Sequence, residues 1–297
     1  MTAQVAVVTD SAASLDAAIA ARTGIRVVPL RVIVGDRDLA EGIDVSPDEI
    51  VTLLEARSRV STSQPSPEAF ATAYRKAVDA GAQAIIAVTL SRALSGSYVA
   101  AGAGTSDAAV PVTVVDSRTV ALAQGLAALV GAEHARAGAD AVAVAHAVRA
   151  AAESSACVFT VDSLEPLRRG GRLSGPAAAL GSALSMRPIL VVEDGEIAVA
   201  SRVRTTRRAR EAVLARIADE CGRMRAPVAA VQGLDPVVVD EAAARLRALV
   251  PGVTVLTGSV GAVLAAHTGV GVLAAVAVDA PDLDVGDFAP TVPGSVD

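Results

Sequence analysis

The chain has 297 residues, 52% hydrophobic and 20% charged, with 2% aromatics and no tryptophan. A folded core is expected, and it has to be filled by Ala, Val, Leu and Ile. A formal net charge of −6, with so few stacking side chains, also argues against a nucleic-acid binder, which needs a basic footprint.

The opening "MTAQVAVVTD" lacks the basic and apolar regions of a signal peptide, and no apolar run reaches the ~18 residues of a spanning helix. A cytoplasmic protein without a transmembrane segment is expected. Val5–Ser11 reads as a buried parallel strand, followed by helical Ala/Leu spacing through Arg22. Ile25–Val34 reads as a second strand, with Pro29 marking an edge or bulge. "SPDE" at Ser46–Glu49 carries an N-cap serine, a first-turn proline and the glutamate of a capping box. Ser66-Pro67-Glu68 opens the next helix by the same logic, so the preceding "RVSTSQP" reads as a loop. Ala84–Ser91 and Val112–Ser117 are further buried strands, each followed by a helical pattern. Strands alternating with helices predict a parallel sheet covered on both faces, with ligands beyond the carboxyl ends of the strands. Thr9, Asp10 and Ser11, then Ser91 and Ser95, then Asp116 and Ser117 collect at those ends. Each is equally well read as a helix N-cap.

Past Ser155 the pattern changes. "ACVFTVDS" is a strand, "LEPLRRGGRLSG" a charged glycine loop, and "RPILVVEDGEIAVASRVRT" a hairpin turning at Asp194-Gly195. A basic helix, the strand "VAAVQG", another helix, the strand "VTVLTG" and the glycine-rich "GAVLAAHTGVGVLAAVAV" follow. The expected organisation is an α/β domain over 1–155, an α+β domain over 156–280 and a disordered tail over 281–297.

No Walker loop, dinucleotide fingerprint or nucleophile elbow is present, and "GGRLSG" lacks both the P-loop lysine and its strand–loop–helix setting. Cys157 and Cys221 have no metal-ligand spacing and read as buried free thiols. No cofactor or metal is expected. His134 and His146 lie in Ala-rich helices and read as surface residues, whereas His267 sits between apolar runs, either as a core histidine or facing a site. Ser95, His267 and Asp10 compose a Ser/His/Asp hydrolase on paper, but triads are recognised by geometry rather than spacing. Two arginine clusters, Arg168, Arg169 and Arg172, then Arg202 to Arg210, are either solvated faces or anion-docking patches.

Taken together, "TDSAAS", "TSQPSP", "SRALSGSY", "VVDSRTVALAQG", "LRRGGRLS", "RPIL", "RVRT" and "AAHTGVG" occur in an order that resembles the DegV family, bacterial fatty acid-binding proteins of the FakB type. The resemblance covers residues 4 to 278. It implies an N-terminal Rossmann-like parallel-sheet domain, a C-terminal α+β domain and a fatty acid between them. It also implies that the carboxyl group is held by Thr62 and Ser95 with His267 nearby, and Ser63, Gln64, Gly96 and Ser97 around them. Such a protein is not itself an enzyme. It presents the carboxyl group to a separate ATP-dependent fatty acid kinase, which makes acyl-phosphate for phospholipid synthesis, and the resemblance places Arg172 and Arg204 at the kinase-docking surface. The chain departs from the family pattern at Ser97, Pro166, Arg187 and Val270. None of these removes a ligand-contacting group. The remaining alternative is a Ser/His acyl hydrolase using Ser95 and His267.

An acyl chain gains ~0.8 kcal/mol per buried CH₂, so an aliphatic slot suffices for affinity. The head group then needs only a few placed hydrogen bonds.

Overall fold

A computed structural model describes residues 5–173 and 186–283. Strand β1 (Val5–Asp10) ends in a short 3-10 turn, and α1 (Ala17–Thr23) leads to β2 (Arg26–Val28). The expected single strand over Ile25–Val34 is broken after β2. Pro29 has no N–H to give a ladder, and the Leu30 N–H goes to Ser11 Oγ at 2.9 Å. The chain then leaves the parallel sheet as β3 (Arg31–Val34), pairing antiparallel with β4 (Arg37–Ala40) and, across α2 (Pro47–Glu55), with β5 (Val60–Ser63). The segment expected as a loop around Thr62 is therefore an edge strand. Val60 and Thr62 alternate with serines in the period of a half-buried strand, and Thr62 pairs with Val32. Both predicted helix starts are present. Ser46 and Glu49 close a reciprocal capping box on α2, and Ser66 caps α3 (Pro67–Asp79).

Strands β6 (Ala84–Thr89) and β7 (Val112–Asp116) complete a four-stranded sheet, parallel throughout, in the order β2-β1-β6-β7. Its two faces are read directly from β6. Ile85 and Ala87 pack with Phe70, Ala73 and Tyr74 of α3 and with α4 (Ser97–Ala103). Ile86 and Val88 face α5 (Leu122–Arg136) and α6 (Ala141–Glu153). Strict alternation with both faces apolar is the signature of a central parallel strand.

Beyond residue 155, β8 (Ala156–Thr160) is followed by α7 (Glu165–Arg169), then β9 (Arg187–Glu193) and β10 (Glu196–Val203). The expected glycine loop is thus a helix for one turn. Pro166 sits at its start, Leu167 is buried, and Gly171, with φ +69°, breaks it. Ser174 and Gly175 of that motif lie outside the described residues. The hairpin turn is as expected, with Asp194 and Gly195 both at positive φ, the type I′ geometry that matches strand twist. Helix α8 (Thr206–Cys221), β11 (Pro227–Gly233), α9 (Pro236–Leu249), β12 (Thr254–Ser259), α10 (Ala262–Thr268) and β13 (Leu273–Asp279) complete a six-stranded mixed sheet, order β10-β9-β8-β13-β11-β12. One face, with Val158, Ile189 and Val231, packs on α8 and α9. The other, with Phe159, Ala274 and Val276, joins the cluster under α5, so one apolar core runs from the parallel sheet into the mixed sheet. Of the expected tail, Leu283 is buried, and residues 284–297 lie outside the described part of the chain.

Candidate functional site

Where the two sheets and the small β3–β5 sheet converge, a slot encloses about 770 Å³ of space, its open mouth included. Its walls are largely aliphatic, from Leu30, Leu94, Val120, Ala121, Ile197 and Val272 among others, with Phe159 the one phenyl ring among the described residues that line it and Cys157 beside it. Cys157 and Phe159 are two apart on β8 and so share a face. The polar side chains are Thr62, Ser63, Gln64, Ser95, Arg172, His267 and Thr268.

His267 stands in the last turn of α10, and its Nε2 is 2.7 Å from Thr62 Oγ1. Two residues 205 apart in sequence thus meet across the slot. Burial, helped by the nearby Arg172 charge, pushes the His267 pKa down to about 4, so the imidazole is neutral near pH 7. Its Nδ1 faces Gly170, where a Cβ would collide with the ring. Ser95 is 3.0 Å from Ser97 Oγ and accepts the Ser97 N–H at 3.3 Å. Gly96 leaves room for the exposed Gln64 side chain, which a Cβ there would strike.

Arg172 is half-buried and lines the slot. Its Nε donates to the Leu94 carbonyl at 3.0 Å and its Nη1 to the Gly170 carbonyl. Arg204, named with it in the sequence reading, is exposed just past β10 and apart from the slot. Asp10 lies elsewhere too. It is fully buried, accepting from Leu90 N (3.0 Å), Ala12 N (3.2 Å) and Gln124 Nε2 (3.0 Å). Burial outweighs those bonds and raises its pKa to about 6. Asp10 therefore anchors the loop leading from β6 to Ser95 rather than orienting an imidazole. Among the described residues no hydrogen bond joins Ser95 to His267, and no carboxylate reaches His267 Nδ1, so the hydrolase arrangement is not assembled. No group of three metal-ligating side chains occurs among them.

Glu41 escaped the sequence reading. It is 8% exposed, accepts the Val263 N–H at 2.7 Å and takes a short hydrogen bond from Ser11 Oγ. Burial raises its pKa to about 7, partly offset by those two bonds and reinforced by Asp10. No local motif marks it, because its partners are distant in sequence.

A family model described as "Uncharacterised protein, DegV family" matches residues 4–280. The chain belongs to the DegV family. A DegV domain-containing protein of Streptomyces coelicolor is 41% identical over 277 residues, 93% of this chain and 99% of that one. One from Mycobacterium bovis is 35% identical over 90% of this chain and 94% of its own. The solved structure of a DegV family protein from Thermus thermophilus, described by its fatty acid binding, superposes with a TM-score of 0.84 at 31% identity, covering 93% of this chain and 99% of that one. DegV of Bacillus subtilis, described as a fatty acid binding protein, gives 0.85 at 27% identity, with 93% and 99% covered. No described helix of this DegV chain is long and apolar enough to cross a membrane.

Proposed function

We propose that the slot holds one long-chain fatty acid, its carboxyl group at Thr62 and Ser95 beside neutral His267, with Ser63, Gln64, Gly96 and Ser97 around them. The observation that carries this reading is a cluster of hydroxyls and one neutral imidazole on a largely apolar slot, in a chain similar to DegV proteins described as fatty acid binding. At ~0.8 kcal/mol per CH₂, burying fourteen methylenes offers roughly 11 kcal/mol before ordering costs. The hydroxyls then choose a carboxylate. Arg172 Nε and Nη1 are turned to backbone carbonyls, so the head group feels a nearby positive charge that is already partly engaged. Its oxygens stay available as nucleophiles.

That availability suits transfer rather than hydrolysis. The chain acts as the lipid-binding subunit of a cytoplasmic fatty acid kinase system, presenting the carboxyl group to a separate ATP-dependent kinase that forms acyl-phosphate for phospholipid synthesis. Exposed Arg204 and half-buried Arg172 contribute to docking that kinase. Segments 1–155 and 156–280 form the two units between which the ligand lies. Denaturing extraction of protein purified from cells, followed by mass spectrometry, is expected to yield long-chain fatty acid. A well-folded sample free of acyl ligand refutes the reading. Retention unchanged in a Thr62→Ala, Ser95→Ala double variant removes those residues from the site.

A further inference from the structure

We propose that Glu41 is a positioning residue of the fatty-acid site, fixing α10 from outside so that His267 meets Thr62 in register. The inference rests on the fatty-acid reading above. Helix α10 is seven residues long and its N-cap, Gly261, has no side chain to offer. The orphan N–H of Val263 is instead accepted by Glu41 Oε1, 222 residues away in sequence. A Cβ at Gly261 would stand 2.5 Å from that oxygen, so the glycine makes room for the remote cap.

The rest of Glu41 is equally committed. Its second oxygen accepts from Ser11 Oγ, which in turn accepts the Leu30 N–H at 2.9 Å. The Glu41 N–H returns to the Leu30 carbonyl at 3.0 Å. Leu30 enters β3, where Val32 pairs with Thr62, and Thr62 bonds His267, one helical turn along α10 from Val263. The path from Leu30 through Glu41, α10, His267, Thr62 and back along β3 is thus a closed circuit of hydrogen bonds and short covalent stretches. Breaking it at Glu41 leaves the Thr62–His267 bond as the remaining hydrogen bond between α10 and the small sheet among the described residues, with only side-chain packing beside it. Asp10 on β1 is the charged neighbour of the carboxylate.

The full chain, stripped of lipid, is titrated with tritiated palmitate, and the side-chain nitrogen resonances of His267 are recorded without lipid. Glu41→Ala is expected to weaken palmitate binding about fivefold and to shift the His267 signals, from the usual worth of a lost helix cap. Glu41→Gln keeps an acceptor for Val263 and is expected to bind within about twofold of the parent. Glu41→Ala combined with Gly261→Ser supplies a local cap and is expected to recover melting temperature but not affinity. Unmoved His267 signals in Glu41→Ala, or full recovery of affinity in the double variant, overturn the proposal. If the parent itself fails to bind palmitate, the fatty-acid reading falls, and the lipid-free histidine signals still decide the role of Glu41.

Discussion

Glu41→Gln should make the protein more stable in mild alkali and leave it nearly unchanged in acid. In the folded chain the carboxyl group is raised from its ordinary 4.5 to about 7, chiefly by burial. The native state therefore holds its proton more tightly than the unfolded chain does. Its contribution is fully present below pH 4.5 and is lost as pH rises through about 7. At about 1.4 kcal/mol for each tenfold change in proton affinity, ionising Glu41 costs roughly 3 kcal/mol at pH 8.5. Glutamine carries no charge, keeps the acceptor for Val263 and donates to Ser11, whose hydroxyl proton then needs a new acceptor; that loss subtracts about 1 kcal/mol. His267, with its pKa lowered by burial, pulls the other way, losing stability as pH falls from 6.5 towards about 4. That slope and the one from Asp10 are common to both proteins and largely cancel in the difference. Urea unfolding of parent and variant at pH 5 and pH 8.5 measures it. A gain of about 2–3 kcal/mol at the higher pH that vanishes at the lower is the expected result. A difference independent of pH, or a less stable variant at pH 8.5, refutes the placement of a buried, ionisable carboxyl at the head of α10.

Thr62→Val keeps the β5 side-chain shape but removes the hydroxyl bonded to His267; fatty acid affinity should fall about tenfold and stability by about 1–3 kcal/mol, as isothermal titration and calorimetry would show. Gly170→Ala places a methyl against the His267 ring; a loss of lipid retention and about 1–3 kcal/mol of stability is expected, by extraction and chemical denaturation. Phe159→Ala should cost about 3–5 kcal/mol in the empty protein. Because the phenyl ring occupies slot volume, mass spectrometry should also find its extracted lipid shifted towards longer or bulkier chains. Burial pushes the Cys157 thiol up to about 12, so a thiol reagent at pH 8 should leave it unmodified until the chain is unfolded.

The parts of this molecule legible in its sequence are those written in local pattern. The capping box at Ser46, the N-cap at Ser66, the Asp194-Gly195 turn and the β-branched runs of the parallel strands each place their causes within a few residues of their effects. Thr62, Ser95 and His267 became a set through the order of motifs, and the structure brings all three to one slot. What was illegible depended on tertiary partners. The chain leaves the parallel sheet at Pro29 because Ser11 claims the next N–H. Arg172 turns inward because two loop carbonyls bend round to meet it. Glu41, an unremarked acid before a glycine, owes its burial to a helix more than two hundred residues later.

The apolar cluster that passes without interruption from under α5 to the inner face of β8 and β13 bears on how the molecule comes apart. Cutting the chain near residue 155 would expose hydrocarbon on both fragments at once. Each piece expressed alone should aggregate, and the whole should melt in a single transition. A guest inserted along that shared seam would then raise the melting point of the entire chain, making thermal denaturation a direct count of how much of a preparation is loaded.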